Sequence, residues 1–352
     1  MALDRAAVER RFAAGDAWFA SSPLYQVLAR QVAADDELLA LAAQVRPGQQ
    51  PANMLMAATH LIVLKDPGQS FARFFASVRG DDAEPPAAAG AEFADFCREH
   101  RAEIGEILRT RLVQTNEPGR GICVRLAMHE VARRVNGPVT FLEIGPSAGI
   151  QLRFDQWAVE LGGRRFGPGG APLTLRAQWR SETAPPDLDA LPVIDRRLGV
   201  DLEPVDAGDP EQRLWLKALI WPEHRDRFTQ LSTALDAVAA SPPTMLRGDA
   251  IDVLPLLDST TLSDNLPLVV FHAMVRLHVA PDRRPAFDSA IDGLAGRRRV
   301  LHVSLEIPDR DSPHDRTGQL LALRDSRGPD HDLAIAEGHG RWIAPLPDTT
   351  PH

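Results

Sequence analysis

The chain has 352 residues, 44% of them apolar and 25% charged, and a net charge of −9. That length suits about two globular domains with a sizeable core. The acidic balance argues against a nucleic-acid binder, which needs a basic stripe to neutralise phosphates; Arg164-Arg165 and Arg297-Arg298-Arg299 are too short for one and read as solvated surface.

In chain order, the start at Met1-Ala-Leu-Asp-Arg5 runs into charged residues and lacks the apolar core of a signal peptide. Residues 1 to about 135 read as helices. Ser21-Ser22-Pro23 is a helix start, with serine as cap and proline at the first helical position. Asp35-Asp36 caps another, and Pro51 opens a third that carries Met54, Leu55, Ala58, Leu61 and Ile62. From Ala91 to Leu112, Phe93, Cys97, Ile104 and Leu108 recur at helical spacing and mark one buried face. The stretch Gly80–Gly90 reads as a surface loop. The two cysteines, Cys97 and Cys123, stand far apart and near no histidine pair, which predicts buried thiols and no metal site. No apolar run reaches the roughly 18 residues that a membrane span needs. These features together predict a cytoplasmic protein with no membrane partner.

After Asn136-Gly137-Pro138 the pattern changes. Val139–Leu142 reads as a strand, and Gly149–Glu160 as the helix behind it. Further strands are predicted at Leu173–Ala177, Val193–Val200, Thr244–Leu246, Leu268–Phe271 and Val300–Leu305. Helices are predicted at Glu211–Ile220, Arg225–Ala239 and Arg283–Leu294. Strands alternating with helices predict a parallel sheet. Leu320–Leu323 and Leu333–Ala336 read as a terminal antiparallel hairpin, with Trp342-Ile343 extending its last strand. The expected fold is α/β: a Rossmann-like sheet, residues 121–352, behind an all-α domain, residues 1–120, which would act as a lid.

The turn Glu143-Ile-Gly145-Pro-Ser147-Ala-Gly149 follows the first predicted strand. Such a turn aims backbone N–H groups at a ligand above the sheet, and glycines allow close approach. A dinucleotide fingerprint would need glycine at positions 147 and 150, which hold Ser147 and Ile150. An acidic residue followed by small residues at alternate positions resembles instead the loop of class I S-adenosylmethionine-dependent methyltransferases. That resemblance implies Glu143, Gly145, Ser147 and Gly149 as cofactor contacts. It also implies Asp201 (Glu203 less so) for the ribose hydroxyls and Asp249 of Arg247-Gly-Asp249 for the adenine amino group. Asp249 reads equally as a helix cap. The long separation of Glu143 from Asp201 leaves two alternatives: residues 161–190 are an insertion, or Leu173–Ala177 is the true second strand. His272, ending Leu268–His272, is a candidate general base, and so is Glu306; each reads also as an ordinary packed or loop-ordering residue. His278 and His339 are lesser candidates.

Over nearly its whole length the chain also resembles a bacterial family, domain of unknown function 2332 (DUF2332). The residues that carry this are Ser21-Ser-Pro-Leu-Tyr25, Gln114-Thr-Asn-Glu117 with Arg120, the Glu143–Gly149 loop, Asp201-Leu-Glu-Pro204 with Asp206, Trp221-Pro222 and Arg247-Gly-Asp249. With that resemblance, Asn116, Glu117 and Arg120 become pocket candidates, Arg120 as a carboxylate grip; the alternative is a polar turn punctuated by Pro118-Gly119. Tyr25, the only tyrosine, is a further pocket candidate but reads better as core or cap. The function expected is methyl transfer from S-adenosylmethionine to a small molecule. A non-enzymatic binder of the same fold and a dinucleotide-dependent oxidoreductase are the alternatives.

Overall fold

The computed structural model describes residues 5–257, 261–262, 266–296, 298–308, 312, 314 and 317–347. Residues 1–4 of the N-terminal stretch and Arg297 of the arginine run lie outside the described residues. The chain divides into two compact units, Met1–Thr115 with Gly208–Ser232, and Asn116–Ala207 with Thr233–His352.

The first unit is helical. Ser22 caps Pro23–Ala33 by accepting from the Tyr25 N–H, and Asp35 caps Asp36–Ala42 through the N–H groups of Glu37 and Leu38. Pro51–Lys65 is apolar on every side and is buried accordingly. The predicted 91–112 helix is broken at His100 into Ala89–Glu99 and Arg101–Thr110, yet Phe93, Cys97, Ile104 and Leu108 all reach the core. Gly80–Gly90 is more ordered than its composition predicts, with 3-10 turns at Gly80–Asp82 and Pro86–Ala88. The later segment is tied in by side chains. Trp215 joins the helical core and donates to the Leu112 carbonyl at 2.9 Å, and Glu223 accepts from Ser22 Oγ at 2.6 Å and from the Leu24 N–H at 2.9 Å.

The second unit is built on one sheet. Its strands are β1 (Val139–Ile144), β2 (Ala158–Leu161), β3 (Arg164–Phe166), β4 (Thr174–Trp179), β5 (Ile194–Asp201), β6 (Thr244–Arg247), β7 (Leu268–Ala273), β8 (Val300–Glu306), β9 (Gln319–Asp325), β10 (His331–Ala336) and β11 (Trp342–Pro345). Their spatial order is β3-β2-β4-β11-β10-β9-β8-β7-β1-β5-β6. The run β6-β5-β1-β7-β8 is parallel throughout, and β9 and β10 form the antiparallel hairpin expected from the sequence. β1 is central and buried at every position, as its continuous apolar character requires.

Two expectations need correction, and one open question is decided. The predicted helix 149–160 is a 3-10 segment, Gln151–Gln156, followed by β2. Arg153 leaves helical geometry there (φ −118°, ψ 17°), and Leu152, Phe154, Trp157 and Val159 are all buried, a pattern that a single helical stripe cannot satisfy. Trp342-Ile343 does not prolong β10; it begins β11, which turns back antiparallel, with Ile335 opposite Ala344. Finally, β1's neighbour is β5, with Glu143 opposite Gly199, whereas β4 pairs with β2 and β11 on the far side of the sheet. The insertion alternative therefore holds, with the inserted strands at residues 158–179 against the expected 161–190, and β5 is the second strand of the parallel run.

Candidate functional site

The carboxyl ends of β1 and β5 meet at the loop Gly145–Gly149. Gly145 and Gly149 have φ of 71° and 82°, and Cβ atoms there would lie 2.6 Å from Val275 Cγ2 and from Pro243 Cγ. Ser147 also has a left-handed backbone, at φ 53°. Among the described residues the other non-glycine residue with positive φ is Met274, which follows β7, at φ 58°. Three of the loop's N–H groups are already used: Gly145 donates to the Val200 carbonyl, Ser147 to Asp201 Oδ2 and Gly149 to the Pro146 carbonyl, each at 2.8 Å. Because Gln151–Gln156 is short and 3-10, no long helix aims its positive end at this point.

Glu143 and Asp201 form the acidic side of the site. Glu143 is buried and its Oε2 lacks a hydrogen-bond partner. Burial, reinforced by the charge of Asp201, pushes its carboxyl up to about 8 against the opposing pull of Arg120. Burial also raises Asp201, although both of its oxygens accept backbone N–H groups: Oδ2 from Ser147, and Oδ1 from Glu203 at 2.9 Å. Ser147 Oγ, Asn116 Oδ1 and Gln151 Oε1 are also among the buried atoms without a partner among the described residues. Asn116 Nδ2 donates to the Pro146 carbonyl at 2.7 Å and Gln151 Nε2 to the Glu117 carbonyl at 2.6 Å. A carbonyl cannot donate, so these bonds fix which end of each amide is oxygen. Gln151 is not among the expected site residues; it stands in the first turn of the predicted helix 149–160.

The segment Asn116–Arg120 therefore packs against the loop. Glu117 is buried and accepts from the Gly119 N–H at 3.4 Å. Arg120 donates from Nε to the Gly338 carbonyl at 2.9 Å and from Nη1 to the Ala273 carbonyl at 3.5 Å. His339 is close to that segment and pairs with Glu337 at 2.8 Å. Asp249 caps the short helix Ala250–Val253 with one oxygen and binds Arg283 Nη1 at 2.9 Å with the other. Tyr25 lies in the first unit. It is buried there with its ring against Phe19 and Trp221, and its hydroxyl is 3.5 Å from the Met56 carbonyl. The neighbouring motif residue Ser21 bonds His224 at 3.0 Å, while Arg227 donates to His224 Nδ1 at 2.9 Å. That donation puts the neutral ring's proton on Nε2, so His224 is no base toward Ser21.

His272 and Glu306 are brought together at 2.7 Å, with His272 Nδ1 on Glu306 Oε1. His272 Nε2 lies 2.8 Å from His302 Nε2, so both nitrogens of His272 are engaged. His302 escaped the sequence reading, although the alternation His302, Ser304, Glu306 puts it on the same face of β8. Among the described residues no group of three His, Cys, Asp or Glu side chains is placed to hold a metal, and no helix is long and apolar enough to cross a membrane.

The exposed apolar residues Leu202, Leu277 and Ile307 follow β5, β7 and β8 along this same carboxyl edge. A family model described as an uncharacterized protein conserved in bacteria (DUF2332) matches residues 7–344. No curated protein matches the chain.

Proposed function

The chain belongs to the DUF2332 family, and on the geometry of its β1 loop we propose that the sheet unit binds S-adenosylmethionine and methylates a small molecule. One observation carries the reading. With the insertion set aside, the parallel strands run third-second-first-fourth-fifth in chain order, a Rossmann-like arrangement whose direction reverses between β1 and β7. Ligands of open α/β sheets bind outside the carboxyl ends of the strands at such a reversal. Ser147 and Met274, the two left-handed non-glycine residues among those described, follow those two strands, and backbone strain of this kind clusters at functional sites.

The donor set supports the ligand class. The unpartnered amide oxygens Asn116 Oδ1 and Gln151 Oε1 are acceptors and call for a ligand rich in N–H and O–H groups, beside a Glu143 carboxyl whose Oε2 is likewise unpartnered. S-adenosylmethionine has an ammonium, two ribose hydroxyls and no phosphate. A pyrophosphate would want free backbone N–H groups, and those of Gly145, Ser147 and Gly149 are already used, which disfavours a dinucleotide. Asp201 keeps unused lone pairs for ribose hydroxyls. Bound there, S-adenosylmethionine supplies an electrophilic methyl group. The protein's part is to hold the acceptor in line and exclude water. The engaged nitrogens of His272 favour a second reading, in which the site binds the nucleoside without transferring the methyl.

Thermal shift and calorimetry with S-adenosylmethionine, S-adenosylhomocysteine and NAD test this. Either adenosyl compound is expected to stabilise the chain by about 2.7 kcal/mol at a hundredfold excess over Kd. Loss of that shift in Gly145→Val, whose side chain would strike Val275, supports the loop as the site. Absence of binding by both adenosyl compounds overturns the reading.

A further inference from the structure

At the carboxyl end of β8, one oxygen of Glu306 is held by three donors and the other by none among the described residues. Oε1 accepts from His272 Nδ1 at 2.7 Å and from the N–H groups of Val275 and Arg276 at 2.8 and 3.1 Å. No hydrogen bond among the described residues reaches Oε2. Burial alone would raise this carboxyl. The bond from His272, the added attraction of that ring whenever it is protonated, and the two backbone donors outweigh burial and hold Glu306 below the usual carboxylate range.

The two histidines behind it form a directional chain. With Nδ1 of a neutral His272 donating to a carboxylate, its Nε2 accepts, so the donor in the 2.8 Å contact is the His302 Nε2–H. Burial first, then His272 and Arg324, pushes His302 down to about 3, so that ring stays neutral. The cation next in sequence does not cancel Glu306, because the Arg276 guanidinium is paired with Asp288 at 3.0 Å. On the facing turn, His278 is within electrostatic reach of both Glu306 and Arg120, and Arg120 of Glu143. A polar line thus runs along the carboxyl edge from β8 to β1, flanked by the exposed Ile307 and Leu277.

We propose that Glu306 Oε2 is the recognition point for a ligand nitrogen bearing both charge and N–H, an ammonium or guanidinium, with His272 and His302 as positioning residues behind it. The proposal rests on the carboxyl edge being the ligand crevice and names its substrate side. A carboxylate held ionised is a poor general base near neutral pH, yet it is a strong acceptor for a charged donor. Its fixed charge repels anions, and an uncharged hydroxyl gains a hydrogen bond from it without the attraction between opposite charges.

The test uses protein carrying isotope-labelled histidine, with the imidazole resonances of His272 followed near neutral pH. Putrescine and agmatine are the probes, butanediol the uncharged control and succinate the anionic one. Both cations are expected to give saturable shifts and both controls none. Glu306→Gln should weaken the cations about tenfold or more, and Glu306→Asp, which keeps the charge but withdraws it, should also weaken them. His302→Gln should redistribute the His272 tautomers and alter the cation affinity, a change that a merely packed histidine would not produce. No saturable response to the cations, an equal response to a control, or unchanged titration in both Glu306 variants overturns the proposal. S-adenosylmethionine binding to the wild type is measured in parallel. Cation response without it overturns the cofactor reading alone, and its binding without cation response overturns this proposal alone.

Discussion

The backbone N–H of Ser147 donates to Asp201 Oδ2 at 2.8 Å, joining the loop after β1 to the end of β5. The other oxygen of Asp201 accepts from the Glu203 N–H at 2.9 Å, so the carboxylate spans two donors. An asparagine cannot do this, because its amide nitrogen would face one N–H group. Asp201→Asn is therefore expected to destabilise the chain by about 1–3 kcal/mol, the cost of one buried donor left unmade. It should also lower the pKa of Glu143 by removing the neighbouring charge. Denaturant unfolding of the two proteins measures the first effect; equal stability would show that the loop does not depend on this carboxylate.

Much of this arrangement is legible in the sequence. The strands β1, β7 and β8 are short, largely apolar runs with clear borders, and bringing Glu143 near Asp201 at the ends of β1 and β5 needed only the insertion to be recognised. β2 and β3 were not read, because the apolar residues from Leu152 to Val159 fit a helix as well as a strand. Gly162-Gly163 between them, both with positive φ, is the hairpin signal that would have separated the two. The Glu306–His272–His302 chain joins residues about thirty positions apart on adjacent strands, and register is set by pairing that one strand's sequence does not contain. The spare acceptors on Asn116 and Gln151 depend on which end of each amide meets a carbonyl, a property of packing alone.

Glu143 should make the unliganded protein less stable as pH rises. Its folded value of about 8 lies above the ordinary 4.5, so between those values the folded state holds a proton that the unfolded state has released. Stability from this group is full below about pH 4.5 and is lost as pH rises through about 8, by up to roughly 1.4 kcal/mol per pH unit. Glu143→Gln removes the titration. The difference in unfolding free energy between variant and wild type should thus move in favour of glutamine from about pH 5.5 to about pH 7.5. A difference independent of pH would mean that Glu143 is ionised throughout.

The acid side is governed by buried neutral histidines. His60, in the helical unit, has Nδ1 at 3.1 Å from the Ala218 carbonyl and Nε2 at 2.7 Å from Ser77 Oγ. Burial lowers it from 6.5 to about 4, against the raising effect of backbone hydrogen bonds, while His302 in the sheet unit is lowered to about 3. Both rings are neutral in the folded state and must charge when the chain unfolds in acid. Their contributions are full above about pH 6.5 and are lost as pH falls toward the folded values, by up to roughly 1.4 kcal/mol per pH unit for each. Glutamine at position 60 can donate to the Ala218 carbonyl and accept from Ser77, so His60→Gln keeps both bonds without the titration. Its unfolding free energy should fall less steeply than that of the wild type between about pH 6 and about pH 4.5. Parallel slopes would mean that His60 can take up a proton inside the fold, through local opening of the helical unit around Ser77.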